Sequence, residues 1–226
     1  MTINIKNLHI HIHLETNDKN KETGGYVTEV DNLSMTGNFA RSEKKFYSFA
    51  EAPDGIYVGT RQGNCWEGKY MSECKEDPVG IVIVKGEHRF VVCKNSLKET
   101  VKLLEDDKMS SLKIYCNYRE CVKDFDGYEN TQILLSFGSK AAKYCKELGE
   151  KWYIPSAGEI VAMDEYGDEL NRLLLLIGGT SLSNGWYWSS TRYSEKGYFV
   201  LNWNDGSRGD CNQIYYCWDR PVSASL

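Results

Sequence analysis

The chain has 226 residues, a formal net charge of −5 and 41% hydrophobic residues. The acidic balance offers no basic surface for nucleic acid, and no apolar run approaches the roughly 20 residues that a membrane helix needs. Residues 1–15 alternate apolar with polar side chains and lack the continuous apolar core of a secretory signal. We therefore expect a protein made in the cytoplasm, with no membrane insertion and no nucleic-acid partner.

Residues 1–77 are expected to form an N-terminal appendage that serves attachment or homo-oligomerisation. In a short predicted strand, His9, His11 and His13 share one face. Imidazoles on a strand face are usually solvated; the alternative is that three copies meet at a symmetry axis and bind a transition metal. A turn signature at residues 52–55 leads into a short predicted strand at residues 56–58.

A change of composition near Pro78 marks the start of the predicted main domain, residues 78–226. Apolar runs at residues 79–84 and 89–93 are separated by a turn containing Gly86. This pattern predicts a hairpin whose first strand is buried on both faces. A short helix at residues 97–104 and a strand at residues 112–116 are expected next.

The middle of the domain carries helix signals. Residues 124–131 are rich in turn formers and predict an Asx-stabilised loop; the alternative is a calcium site, although the EF-hand spacing is missing. Ser139 and Gly149 bracket a predicted helix, and Ser156 with Glu159 predicts a capping box that starts the next. A further helix is expected at residues 168–177. The carboxylates of these helices are interpreted as a solvated face rather than a catalytic site.

Residues 186–222 hold four of the six tryptophans and predict two strands, at 198–203 and 212–222, joined by a polar loop. Alternation along a strand buries one face and exposes the other. The predicted exposed face combines tyrosines with polar side chains, as antibody contact surfaces do. The residues expected to be buried are Phe199, Leu201, Trp203, Ile214, Tyr216 and Trp218; those expected to be exposed are Tyr198, Val200, Asn202, Gln213, Tyr215, Cys217 and Asp219.

The residues that usually carry catalysis or metal binding are not arranged for it. Among residues 78–226 the only histidine is His88, and no Cys/His or Ser/His/Asp constellation is recognisable. None of the eight cysteines lies in a CxxC pair, so reduced thiols are expected rather than a zinc site. The sequence predicts no enzyme, no cofactor and no metal.

Several blocks along the second half occur in the order of a known family: DGY and NT within 126–131, AA at 141–142, WYIPSAGE at 152–159, GGT at 178–180, YWSST at 187–191 and RPV at 220–222. Residues 78–226 therefore resemble the C-type lectin-like domains of phage and bacterial proteins, including the variable proteins of diversity-generating retroelements. Asp219 departs from the pattern, because an apolar residue usually precedes Arg-Pro-Val.

The resemblance implies an α+β, C-type lectin-like fold with two helices and a mixed or antiparallel sheet. It also implies a C-terminal surface diversified by mutagenesis of adenines. An Asn codon randomised in this way yields Tyr, Asp, Ser, Cys, Arg, Val or Gly but not Trp, so Trp203 and Trp218 are expected to be scaffold; Gln213 is not reachable from such a codon either. The predicted ligand-binding residues are Tyr193, Tyr198, Val200, Asn202, Ser207, Arg208, Asp210, Cys211, Gln213, Tyr215 and Cys217.

The implied function is display of a binding surface, by a phage or prophage protein on the virion surface, toward a protein or glycan ligand on a target cell. A cytoplasmic location is the alternative. The alternative functions are a structural virion or fimbrial subunit, and a calcium-dependent lectin suggested by Trp203-Asn204-Asp205, whose companion motif is absent. That tripeptide otherwise predicts a turn between strands. A disulfide between Cys211 and Cys217 is the alternative to diversified free cysteines.

Overall fold

A computed structural model of the chain describes residues 44–226, so the expectations for His9, His11 and His13 lie outside the described residues. Residues 44–226 belong to one compact unit. The strands are β1 Phe46–Ser48, β2 Gly55–Thr60, β3 Asn64–Trp66, β4 Pro78–Lys85, β5 His88–Cys93, β6 Trp152–Tyr153, β7 Trp186–Arg192, β8 Gly197–Asn202, β9 Arg208–Asn212 and β10 Val222–Ser223. The α-helices are α1 Tyr118–Cys121, α2 Gly127–Ser136, α3 Lys140–Leu148, α4 Ala157–Asp164 and α5 Gly167–Leu176.

A seven-stranded antiparallel sheet has the order β1-β3-β2-β4-β5-β10-β6. The predicted hairpin is confirmed as β4 and β5, and β4 is buried on both faces, with Ile81 and Ile83 in one apolar cluster and Val82 and Val84 in another. Strand β2 pairs with β4 along its whole length. The domain boundary expected between residues 77 and 78 therefore falls between paired strands of one sheet.

A second, three-stranded antiparallel sheet consists of β7, β8 and β9, with β8 in the middle. Strand β8 is buried on both faces, because Phe199 and Leu201 pack in the cluster that contains α4 and α5, while Tyr198 and Val200 pack in the cluster that contains α3. The expectation that Tyr198 and Val200 face solvent is wrong. Helix packing on the second face overrides the alternating pattern of the strand.

The predicted helix starts are confirmed. Ser139 Oγ accepts a hydrogen bond from the Ala142 N–H, and Ser156 and Glu159 form the expected capping box at the start of α4. The α+β class is thus observed, with five α-helices in the described residues rather than two.

Three local expectations are wrong, and in two of these segments tertiary hydrogen bonds take the place of regular structure. Residues 127–136 form α2 rather than a loop, although Asp124 does make an Asx turn, accepting from the Asp126 N–H at 2.9 Å. Residues 97–104 and 112–116 have no regular structure. Their backbone N–H groups bond instead to distant carbonyls, Val101 to Cys217 at 2.9 Å and Tyr115 to Arg192 at 3.0 Å. Among residues 44–226, no helix combines the length and the apolar character that crossing a membrane requires.

Candidate contact surface at the C-terminal strands

The strand expected at residues 212–222 is instead β9, four residues earlier, followed by an irregular segment that ends at β10. As a result, the expected burial is reversed at four positions. Gln213 and Cys217, expected outside, are 1% and 3% exposed, whereas Tyr216, expected inside, is 64% exposed. Asp219, also expected outside, is fully buried.

The buried side-chain amide of Gln213 anchors this irregular segment. The Gln213 side chain donates to the carbonyls of Glu105 at 3.0 Å and Lys108 at 2.6 Å. The main-chain carbonyl of Gln213 accepts from the backbone N–H groups of Leu103 and Leu104. A Gln side chain can donate to main-chain carbonyls that no neighbouring strand pairs. This is why a polar residue occupies the interior here.

The eleven residues predicted to bind ligand therefore divide into three groups. Four are exposed, three are half-buried and four are buried, so the predicted surface is only partly present. The exposed residues are Ser207, Arg208, Asp210 and Tyr215; the half-buried ones are Tyr193, Asn202 and Cys211; the buried ones, for which a binding role is corrected, are Tyr198, Val200, Gln213 and Cys217.

The most exposed aromatic side chains of the described residues lie in the segment 212–217, here called the tyrosine turn. Tyr215 and Tyr216 are 61% and 64% exposed. The turn is anchored at both ends, since Gln213 is fixed as above and Cys217 exchanges two backbone hydrogen bonds with Val101, at 2.9 and 3.2 Å. The Lys102 ammonium lies 5.7 Å from the centre of the Tyr216 ring. Two aromatic rings are thus presented from a backbone that is already ordered.

The alternating pattern assigns Tyr216 to the buried face because a tyrosine in such a pattern is counted as apolar. Its hydroxyl makes the ring compatible with either face. Residues 213–216 form an irregular turn and not a strand, so alternation does not apply and Tyr215 and Tyr216 are both exposed.

Arg208, in β9, is tied to the helical part of the domain. Its Nη2 atom lies 2.9 Å from Asp164 Oδ2 at the end of α4, and its Nη1 donates to the Tyr118 hydroxyl. Exposed ion pairs contribute little to stability, about 0–1 kcal/mol, but they orient the side chain. Arg208 is consequently a fixed, partly accessible cation beside the exposed Asp210.

The loop between β8 and β9 forms the turn expected for residues 203–205. Asn202 Oδ1 accepts from the Asn204 N–H and Asp205 Oδ1 from the Ser207 N–H, both at 2.9 Å. Gly206 has a φ of 70°, which suits glycine in such a turn. Within residues 44–226, no three His, Cys, Asp or Glu side chains are grouped so that they could hold a metal ion.

Cys211 and Cys217 face each other across the tyrosine turn. Their Sγ atoms are 3.9 Å apart, and all eight cysteines of the chain are free thiols in the structure. Burial raises the pKa of both thiols, which disfavours the reactive thiolate. The two thiols are close neighbours, while the disulfide alternative requires a bond of about 2.05 Å.

Two charged residues behind the turn are buried, Asp219 and Arg220. The Asp219 carboxylate accepts a hydrogen bond from the Cys145 thiol at 3.4 Å, and its other oxygen has no partner in the described residues. Burial raises the pKa of Asp219 to about 7 and lowers that of Arg220 to about 10.

This pKa predicts an unusual pH dependence of stability. Between the unfolded pKa of about 3.9 and the folded value of about 7, the folded state keeps a proton that the unfolded chain releases. The contribution of Asp219 is therefore greatest at acidic pH and is lost as the pH rises through 7. We expect the free energy of unfolding to fall by on the order of 2 kcal/mol from pH 5 to 8 through this group. Glu159, whose pKa burial also raises to about 7, adds in the same direction.

In the Asp219→Asn variant, the free energy of unfolding should decrease much less between pH 5 and pH 8, because the amide stays neutral. At pH 8 the variant should be more stable than the wild type. Urea unfolding at pH 5, 6, 7 and 8 measures the slope. Asp107→Asn, a substitution of an exposed carboxylate, is the control and should keep the wild-type slope. Parallel pH profiles for wild type and Asp219→Asn would contradict an elevated pKa at this residue.

No protein-family model and no curated protein matches the chain. Among solved structures the chain is similar to a fimbrial protein from Bacteroides ovatus ATCC 8483, with a TM-score of 0.56 and 18% identity. The match covers 76% of this chain and 49% of that protein, so the chain spans about half the length of its structural neighbour. At this identity the likeness shows a shared fold.

Proposed function

We propose that this protein is a subunit of a surface appendage of the fimbrial type. The structural likeness to a fimbrial protein over three quarters of the chain carries this proposal. The function requires a stable domain with faces that contact other proteins, and no catalytic group takes part. An extracellular location follows from the proposal.

The tyrosine turn is the proposed centre of the face that contacts another protein of the appendage. Tyr and Arg dominate the energetics of protein interfaces, and a preordered backbone lowers the entropic cost of binding. Tyr215 and Tyr216 project from a turn that is already anchored, and Arg208 in the adjoining strand β9 is already oriented by Asp164. This combination supports a contact role.

Within this proposal the domain is a variant of the C-type lectin-like fold. The blocks that carry the resemblance meet in space, which supports the assignment. Ala157 N–H donates to Thr191 Oγ1 at 2.8 Å, Ser190 N–H donates to the Pro155 carbonyl at 2.8 Å, and Val222 pairs with Tyr153. The blocks WYIPSAGE, YWSST and RPV thus form one connected scaffold.

The location is tested on the cells that produce the protein. Surface filaments are sheared from intact cells and separated by density, and an antibody against residues 44–226 locates the chain. We expect the chain in the filament fraction and on intact cells. Its confinement to the cytoplasm, or its recovery only with phage particles, would overturn the proposal.

The double variant Tyr215→Ser/Tyr216→Ser tests the contact face. Because both rings are exposed, we expect the free energy of unfolding to change by less than about 0.5 kcal/mol, while incorporation into filaments drops at least about tenfold. Immunoblotting of the sheared fraction measures incorporation, and urea unfolding measures stability.

Leu175→Ser/Leu176→Ser is the matched control for that variant, because it removes two neighbouring exposed apolar side chains, 59% and 49% exposed, from the end of α5. It should incorporate normally. Wild-type incorporation of the tyrosine variant would show that the turn is not an assembly contact.

A second candidate function is display of a diversified binding surface. The exposed residues Ser207, Arg208, Asp210 and Tyr215 favour it, since all four are reachable from a mutated Asn codon and all lie on or beside β9. In this case the turn would bind a ligand outside the appendage. Sequencing of the neighbouring DNA tests it: a near-copy of the final codons beside a reverse transcriptase gene supports diversification, and the absence of both excludes it.

A further inference from the structure

A cavity of about 440 Å³ lies at the side of the domain, between the segment after β5, helix α3 and the loop after α5. Its volume falls within the range of about 300–1,000 Å³ that is typical of small-molecule sites. Trp218 forms part of its wall and Tyr144 of α3 another. The cavity shares no residue with the tyrosine turn.

One buried guanidinium fixes two walls of the cavity. Arg220 Nη1 donates to the carbonyls of Cys93 at 3.0 Å and Lys94 at 3.1 Å; its Nη2 donates to those of Thr180 at 2.8 Å and Ser181 at 3.1 Å. The two segments also bond directly, from Thr180 N–H to the Lys94 carbonyl at 3.1 Å. The shape of the cavity is therefore set before any ligand arrives, which lowers the entropic cost of binding.

The lining offers polar groups that the protein does not use. In residues 44–226 no hydrogen-bond partner is present for the Tyr144 hydroxyl, the Asn95 amide, the Ser181 hydroxyl or the Trp218 indole N–H. Such groups can donate to, and all but the indole can accept from, the hydroxyls of a ligand. The indole ring of Trp218 adds an apolar wall to the same cavity.

The charge of the lining narrows the ligand class. Among the described residues no carboxylate lines the cavity, and Lys98 is its one cationic side chain. A cationic ligand would lack a partner, and a nucleotide would need more cations or a phosphate-binding turn. A peptide strand would need a free sheet edge for its backbone groups, which a concave pocket does not supply.

We propose that this cavity binds one sugar residue of a glycan, without calcium. The apolar C–H face of the sugar packs on Trp218, and its hydroxyls pair with Tyr144, Asn95 and Ser181. This assignment goes beyond the surface role proposed above, because it names a ligand for a site distinct from the assembly contact.

The full-length chain is titrated with a panel of neutral and acidic methyl glycosides, and binding is followed by calorimetry and by tryptophan fluorescence. We expect at least one glycoside to bind with a Kd on the order of 0.1–10 mM, unchanged by EDTA. Tyr144→Phe, which deletes only a hydroxyl, should weaken binding about 3–10-fold, and Trp218→Leu more than about tenfold.

Two control variants distinguish this site from its surroundings. Trp186→Leu changes an exposed tryptophan that does not line the cavity, and Tyr215→Ser/Tyr216→Ser removes the proposed assembly contact; both should bind as the wild type does. Should Trp218→Leu fail to fold, Tyr144→Phe decides the question. The inference is overturned if no glycoside binds at about 50 mM, if EDTA abolishes binding, or if Tyr144→Phe leaves affinity unchanged.

Discussion

Replacing Arg220 with methionine is expected to lower the free energy of unfolding by about 3–5 kcal/mol. Arg220 is 1% exposed, and its guanidinium donates to four backbone carbonyls from two separate segments. Methionine fills similar space but donates nothing, so four buried acceptors lose a charged partner. The same substitution also leaves the carboxylate of Asp219 without a neighbouring positive charge.

Guanidinium-induced unfolding measures this effect, and Arg172→Met is its matched control. Arg172 is half-exposed and bonds Glu169 within α5 at 2.6 and 2.7 Å, so its loss should cost no more than about 1 kcal/mol. A loss below about 1 kcal/mol for Arg220→Met would show that the carbonyls find other donors. If Arg220→Met does not fold, Arg220→Lys should fold with reduced stability, since an ammonium cannot reach all four carbonyls.

Substitution of Gly158 by alanine is expected to cost about 2–3 kcal/mol. Gly158 is the second residue of α4, and its N–H donates to the Asp124 carbonyl at 2.9 Å. An added Cβ would lie 2.5 Å from that carbonyl oxygen and 2.5 Å from Phe125 Cε2. Either the start of α4 or the Asp124 turn must move, and the turn also carries the hydrogen bond from Thr191 to Asp124.

Gly167→Ala is the control, because Gly167 begins α5 and an added Cβ there meets no atom within 4 Å. Alanine should be neutral or raise stability by up to about 1 kcal/mol, since it reduces the freedom of the unfolded chain. Thermal and urea unfolding of the two variants measure the contrast. Equal stabilities for Gly158→Ala and Gly167→Ala would contradict the close packing of α4 on the Asp124 turn.

Sequence patterns predicted the structure correctly where it depends on residues that are close together in the chain. The β4–β5 hairpin followed from two apolar runs around a Gly turn, and the start of α4 from Ser156 and Glu159. Helix capping and tight turns involve residues three or four positions apart, so the sequence displays all of their parts.

The contact surface was predictable only in part. Tyr215 and Arg208 are exposed as expected, whereas Val200 is 3% exposed. Alternation in β8 indicates a strand with two different faces, but whether one or both are covered depends on a helix, α3, that lies more than 50 residues earlier. A strand pattern carries no information on that distant partner.

The sequence by itself determined the α+β class, the hairpin and the helix starts at residues 139 and 156, because each depends on local periodicity or capping. Only the tertiary structure decided that Tyr198 and Val200 are core, that Tyr216 is surface, and that Arg220 holds two segments together. Those outcomes depend on hydrogen bonds and packing between segments up to 127 positions apart, such as Arg220 to Cys93. Whether packed elements cover one or both faces of a strand is decided by the folded chain.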